Sequence, residues 1–497
     1  MITALLATIV GQTSAEIKPG TPIETIVAQA ANVTPSSQQL EWQRNEFTLF
    51  VHFGQNTFSG REWGTGLEKP SDFNPSALST DQWAEAAKAA GAKMIILVAK
   101  HHDGFCLWPS AYTEHNVKNS PYKNGKGDIV KECAASCKKY GLKFGVYLSP
   151  ADLNAPSYGD TPGYNNYYMN QMREILSKYD IREMWWDGAN PKGKDMVYWR
   201  NQWIDLVREL APKAAIFGCG PDCRWVGNES GYARETEWSV IPLQTSPRDE
   251  AWKDKTGPDL GSREKLKDAK WLHWYPAETD VSIRPGWFWH ESENDKVKSL
   301  ETLANIYFES VGRNSVLLLN VPPDKRGLFH ETDVERLKQF GQFIKNTFST
   351  NFAKGAKVTD TTREATPADM RGGGAFGVLA PKAGGAKNVV DGKPDSFWQS
   401  KAGTTFGSLE IELKGAQSFD VIMLQENIQV GQRVEKFAVD VWQGSDWKEI
   451  AKGTTIGYKR LLKVPMTTAS KVRVRLLESR LNPTLTEVGL YKMAPVK

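Results

Sequence analysis

The chain has 497 residues, with 62 Lys and Arg against 58 Asp and Glu for a formal net charge of +4. That length exceeds one average domain and predicts a large domain with a smaller one attached. The charge carries no long single-sign run, which excludes nucleic acid and an anionic membrane as electrostatic partners. Eighteen tryptophans exceed the needs of an ordinary core, and flat apolar rings with polar edges suit stacking on sugars, so a neutral carbohydrate partner is the first expectation.

The opening MITALLATIVGQTSA has an apolar run of signal-peptide length and a small-residue end, without Lys or Arg. Residues 1–20 therefore read as an export-signal remnant, placing the protein in a periplasm or outside the cell. No other apolar run approaches the roughly 20 residues of a membrane span. Short apolar runs then alternate with amphipathic helices. TLFVHFG (48–54) is the first strand; a helix from Ser79, with Gln82 completing a capping box and Gly91 stopping it, leads to KMIILVAK (93–100). A helix from Asp128 to Gly141 leads to KFGVYLS (143–149); one carrying Tyr168, Met172 and Ile175 leads to EMWWDG (183–188); one carrying Trp199, Trp203 and Leu206 leads to AAIFG (214–218). The pattern then blurs, with WSVIP (238–242) and KWLHWYP (270–276) as candidate strands, before a helix at 296–311, SVLLLNV (315–321) and a last helix carrying Leu337.

These units predict a (β/α)8 TIM-like barrel over 21–351, because no glycine-rich phosphate loop follows the first strand as in a doubly wound sheet. Beyond 352 the texture changes to alternating stretches such as SLEIEL, FDVIML, KFAVDVW and KVRVRLL, predicting an all-β sandwich over 352–497, with ADMRGGGAFG (368–377) as a flexible insertion. The five cysteines, Cys106, Cys133, Cys137, Cys219 and Cys223, form no paired zinc pattern and indicate no disulfide framework, and Cys133 and Cys137, four apart on one helix face, read as buried thiols.

In such a barrel, chemistry gathers at the C-terminal strand ends, which here carry His52, His101, His102, Tyr147 and Asp187. Three histidines at strand ends suit either sugar hydroxyls or, as an alternative, a metal-dependent hydrolase, although the His-x-His pair common in such sites is absent. Asp187 follows two tryptophans where an unpaired carboxylate is costly. A glycosidic transition state supplies the missing positive charge, and a second carboxyl must protonate the leaving oxygen. A turn role before Gly188 stands beside that expectation.

VHFGQNTF, REWG, AKHHDGFCLW, GVYLSP and MWWDG, one per strand and in this order, resemble the family 29 glycoside hydrolases, the retaining α-L-fucosidases, over residues 40 to 350. The resemblance implies a barrel needing no metal for catalysis, Asp187 as nucleophile, and His52, Glu62, Trp63, His101, His102 and Tyr147 as residues that hold fucose. RWVGNESGYARETEW (224–238) is similar to the acid/base segment of the branch acting on α-1,3/1,4 linkages. Of Glu229, Glu235 and Glu237, Glu229 is the choice, with Trp225 and Val226 as the apolar wall that keeps it protonated. Arg224, Trp238, Trp287 and Trp289 are expected subsite walls. The C-terminal segment resembles the discoidin-like (factor 5/8 type C) carbohydrate-binding module through VVDGKPDSFWQS (389–400) and EVGLYK (487–492). A structural calcium near Asp391 is an expectation ranked below a plain turn. The activity implied is exo-hydrolysis of fucosylated oligosaccharides or glycoconjugates; a non-catalytic fucose-binding protein or adhesin is the alternative.

Overall fold

The computed structural model describes residues 12–189, 196–218, 220–250, 254–364 and 384–496. The start of the export-signal segment, Cys219 and the insertion at 368–377 lie outside them. Eight parallel strands form the barrel: β1 (Phe47–Val51), β2 (Met94–Lys100), β3 (Lys143–Leu148), β4 (Ile181–Trp185), β5 (Ala215–Phe217), β6 (Arg224–Trp225), β7 (Ala277–Ser282) and β8 (Ser315–Asn320). They pair in the order β5-β4-β3-β2-β1-β8-β7-β6, and a parallel bridge between Phe217 and Cys223 closes the ring.

The outer helices α1 (Thr80–Ala90), α2 (Ile129–Tyr140), α3 (Thr161–Leu176), α4 (Arg200–Leu210), α5 (Leu300–Glu309) and α6 (Glu331–Thr347) cover the strands. Local chemistry sets their ends. Asp128 caps α2 by accepting from Lys131 N at 2.9 Å, and Gly141 ends it at φ 74°, a conformation that penalises any Cβ. Ser79 caps α1, but the predicted capping box is only half made, because Gln82 instead bonds both backbone groups of Phe329.

The period of two explains the tryptophan pair in β4 and after it. Trp185 points inward and stacks on Phe217 at 4.1 Å, whereas Trp186 points outward and packs edge-on against Trp203 of α4. Asp187 returns to the inner side.

Several sequence expectations change. WSVIP and KWLHWYP do form strands, Val240–Leu243 and Trp271–Trp274, but these pair antiparallel with each other and with Ser14–Glu16 in a separate small sheet. The true sixth and seventh barrel strands are the two-residue β6 and the polar AETDVS of β7. A boundary at residue 20 cuts through folded chain, since Ser14–Glu16 is a strand and Ile17 N donates to Lys270 O at 2.8 Å.

The C-terminal unit is antiparallel: β9 (Lys357–Asp360), β10 (Gly407–Gln425), β11 (Val434–Gln443), β12 (Asp446–Gly453), β13 (Arg460–Ser479) and β14 (Glu487–Tyr491). They run β9-β10-β13-β11-β12, with β14 on β10. SLEIEL and FDVIML, read as two strands, are halves of the single strand β10, bent where its register against β13 shifts. This unit grips the barrel segment 235–239: Gln432 Oε1 accepts from Ser239 N at 2.7 Å, Thr455 Oγ1 from Glu237 N at 3.1 Å, and Arg460 donates to Glu235 O at 2.6 Å. Cys106, Cys133, Cys137 and Cys223 are buried free thiols. No helix among the described residues is long and apolar enough to cross a membrane.

Candidate active site

At the C-terminal strand ends lies a cavity of about 370 Å³ lined by His52, Trp63, His101, His102, Tyr147, Trp185, Asp187, Arg224, Trp225, Glu229, Asp280 and Trp287, among others. Phe50, Tyr147, Trp185 and Phe217 form its aromatic floor. β2 has ended at Lys100, and a turn with Gly104 at φ 84° follows. Adjacent histidines therefore escape strand alternation, and both rings line the cavity with centroids 4.1 Å apart.

Asp187 is half-buried and held from two sides: Tyr147 Oη donates to Oδ2 at 3.1 Å and Ala189 N donates to Oδ1 at 2.6 Å. The second bond is an Asx turn, so the turn role and the site role coexist in one residue. Asp187 in return pushes the Tyr147 phenol up, adding to the larger effect of burial.

Burial disfavours a charged imidazole and pulls all three histidines down, His52 to about 3. For His102 the nearby Asp187 charge partly opposes that fall. The rings are consequently neutral across the physiological range, as sugar-hydroxyl partners should be.

The three glutamates after β6 separate cleanly. Glu237 is buried and ion-paired to Arg224 and Arg234. Glu235 points to solvent beside Arg460, at 3.5 Å. Only Glu229 lines the cavity, where its Oε2 accepts from Trp287 Nε1 at 3.3 Å. It is exposed to solvent, yet the surrounding protein raises its carboxyl above the usual range, and the Asp187 and Glu62 charges add to that against the Trp287 bond.

A barrel mouth that brings Asp187, Glu229 and three neutral strand-end histidines into one cavity suits sugar chemistry, and comparison with known proteins decides which. Residues 25–347 match the family model for alpha-L-fucosidase. The chain belongs to the α-L-fucosidase family, glycoside hydrolase family 29. Arabidopsis thaliana alpha-L-fucosidase 1 is 41% identical over 463 residues, 92% of this chain and 87% of that protein. The solved structure of a Ruminococcus gnavus GH29 fucosidase in complex with fucose superposes with a TM-score of 0.81 at 32% identity, covering 93% of this chain and 95% of that one. Residues 388–474 match a NedA-like, galactose-binding domain.

Several residues expected to touch the fucosidase substrate sit elsewhere. Trp238 is buried beneath the Arg480 guanidinium, 3.4 Å from its ring centroid, and donates to Ser262 Oγ; it joins the two domains and is no subsite wall. Trp289 is likewise buried, donating to Asn294 at 3.1 Å, and is not among the cavity-lining residues. Glu62 is not among them either: it staples the loop after β7, accepting from Trp287 N at 2.9 Å and bonding His290 Nε2 at 2.7 Å. Val226 packs with Ala233 and Ala277, leaving Trp225 and Trp287 as Glu229's aromatic neighbours in the cavity. Asp391 has its oxygens taken by Lys393 N and Ser396 Oγ, the plain turn ranked first.

Asp280 was not anticipated. It faces the cavity from β7, accepts from Trp225 Nε1 at 2.8 Å, and is pushed well above the usual carboxylate range by burial. Its signal was the alternation of Glu278 and Asp280 in AETDVS, which a search for apolar strands passes over.

Proposed function

We propose that this fucosidase is a retaining exo-enzyme that removes terminal α-1,3/1,4-linked L-fucose from oligosaccharides or glycoconjugates by double displacement. A carboxylate oxygen of Asp187 attacks the anomeric carbon as the bond to the leaving oxygen breaks, and Glu229 gives its proton to that oxygen. The carboxylate of Glu229 then takes a proton from water, whose oxygen attacks the same carbon and releases Asp187. Two inversions leave the configuration unchanged.

The observation that carries this assignment is that, of the three glutamates after β6, Glu229 alone shares the cavity with Asp187. Its raised carboxyl suits a group that must begin protonated and end as a base. His52, His101 and His102 hold hydroxyls, while Trp63, half exposed with its ring 5.0 Å from that of His102, offers an apolar face to the C5-methyl edge. Proton NMR of the first-formed fucose tests the stereochemistry: α-L-fucose appears first, and initial β-L-fucose rejects double displacement. A trisaccharide panel separates the linkages, and preferential α-1,2 cleavage rejects the branch assignment.

A further inference from the structure

Of the three histidines at the strand ends, two are wired in the opposite sense to the third. His52 Nδ1 lies 2.8 Å from Asn320 Oδ1. The orientation of that amide is fixed, because Asn320 Nδ2 must donate to the Trp287 carbonyl at 2.8 Å and also reaches Ser282 Oγ at 2.9 Å. The oxygen therefore faces His52, and an oxygen that only accepts requires the proton on Nδ1. His102 repeats the logic with another partner: Ser149 Oγ spends its single proton on the Ala151 carbonyl at 2.7 Å, so it accepts from His102 Nδ1, also at 2.7 Å.

His101 is reversed. Asn56 Nδ2 donates to the Glu62 carbonyl at 3.1 Å and approaches His101 Nδ1 at 3.4 Å. A donor facing Nδ1 makes that nitrogen the acceptor and leaves the proton on Nε2. All three rings are buried and neutral, and none of the three Nε2 atoms has a hydrogen-bond partner among the described residues.

We infer that Asn320, Ser149 and Asn56 are positioning residues that set the hydrogen-bond polarity of the sugar pocket: bare Nε2 acceptors at His52 and His102, and an Nε2–H donor at His101. Given that fucose occupies this cavity, its hydroxyls must donate to His52 and His102 and accept from His101. The histidine ring is thus not an interchangeable polar wall. A sugar or analogue lacking a facing hydroxyl leaves a buried lone pair or N–H unpaired, which is the costly case.

Two-bond 1H–15N correlation on the full-length, 15N-histidine-labelled enzyme reads each tautomer directly, with His52, His101 and His102 assigned by loss of signal in single His→Gln variants. Expected are the Nδ1–H pattern at His52 and His102 and the Nε2–H pattern at His101; an Nε2–H at either of the first two, or an Nδ1–H at the third, overturns the assignment. Ser149→Ala should shift His102 toward Nε2–H and raise the inhibition constant of L-fucose about tenfold, and Ser149→Thr should restore both. An unchanged tautomer and inhibition constant in Ser149→Ala contradict the positioning role, and if that variant does not fold the wild-type spectrum still decides. Wild-type enzyme that neither binds L-fucose nor cleaves fucosides would reject the fucosidase reading, a result independent of the tautomer spectrum.

Discussion

The two halves of the barrel are built on different principles. From β1 to β4 each strand is followed by a helix, and Tyr147 within β3 and His52, His101, His102 and Asp187 just beyond the strand ends line the cavity. From β5 to β7 there is no such rhythm: β6 follows β5 after six residues, a separate antiparallel sheet intervenes before β7, and Glu229 rides on a loop. The first half holds Asp187 from two sides and ties His52 and His102 by short hydrogen bonds. The second holds Glu229 by a hydrogen bond from Trp287 at 3.3 Å, while Gln432, Thr455 and Arg460 of the C-terminal domain clamp the same loop further along.

This contrast predicts that the first half carries the largest effect. Asp187→Ala should lower kcat by about 10⁴-fold or more on every fucoside, as loss of a covalent nucleophile does. Azide should partly rescue it and yield the inverted fucosyl azide. Retention of substantial turnover would remove Asp187 from the chemistry.

Glu229 sharpens the comparison, because an acid matters only where the leaving group needs a proton. Glu229→Ala should cost about 10² to 10⁴-fold in kcat/KM on a natural oligosaccharide and far less on an activated aryl fucoside. In the wild type the alkaline limb of kcat/KM should lie above the ordinary glutamate range, in the direction that burial shifts this carboxyl, and should vanish in Glu229→Gln. Asp280→Asn is the control: if it, and not Glu229→Ala, produces the leaving-group split, the acid has been misassigned.

The same contrast governs what the sequence discloses. β1 to β4 are legible because their strands are short apolar runs, with β4 interrupted by Arg182 and Glu183, and their helices repeat on one face, and Asp187 stands out after WW because period two turns it inward. β6 is too short to leave a periodic trace. β7 is hidden because its inward positions are Glu278 and Asp280, whereas the aromatic WSVIP and KWLHWYP advertise strands that belong to another sheet. Choosing among the glutamates required knowing that Arg224 and Arg234 close on Glu237, a contact spanning β6 and its loop that no local pattern reports. Glu62 and Trp238 are hard to place from sequence for a related reason: carboxylates and indoles suit a subsite and a structural clamp equally well.

Glu237 tests the irregular half as structure. Removing one partner of a buried ion pair leaves the other uncompensated, at a cost of about 3–5 kcal/mol. Glu237→Ala should therefore lower the melting temperature markedly and slow aryl and natural fucosides alike, in contrast to Glu229→Ala. A leaving-group-dependent loss without destabilisation would make Glu237 the acid after all.

The smallest expected effect probes where the halves meet inside the barrel. Glu183 of β4 and Glu278 of β7 are buried neighbours, capped by the indole N–H groups of Trp42 and Trp185 at 2.8 Å each. Two carboxylates cannot share that space fully ionised, so burial lifts both, Glu183 to about 8 from 4.5. The folded chain thus keeps a proton that the unfolded chain has lost, and the stabilisation, complete below about pH 4.5, declines as pH rises toward about 8. Each retained proton contributes a slope of about 1.4 kcal/mol per pH unit at most. Glu183→Gln replaces the shared proton with a permanent amide donor to Glu278, and its melting temperature between pH 5 and 8 should fall less steeply than that of the wild type. Parallel curves would mean that β4 and β7 are held together without the proton.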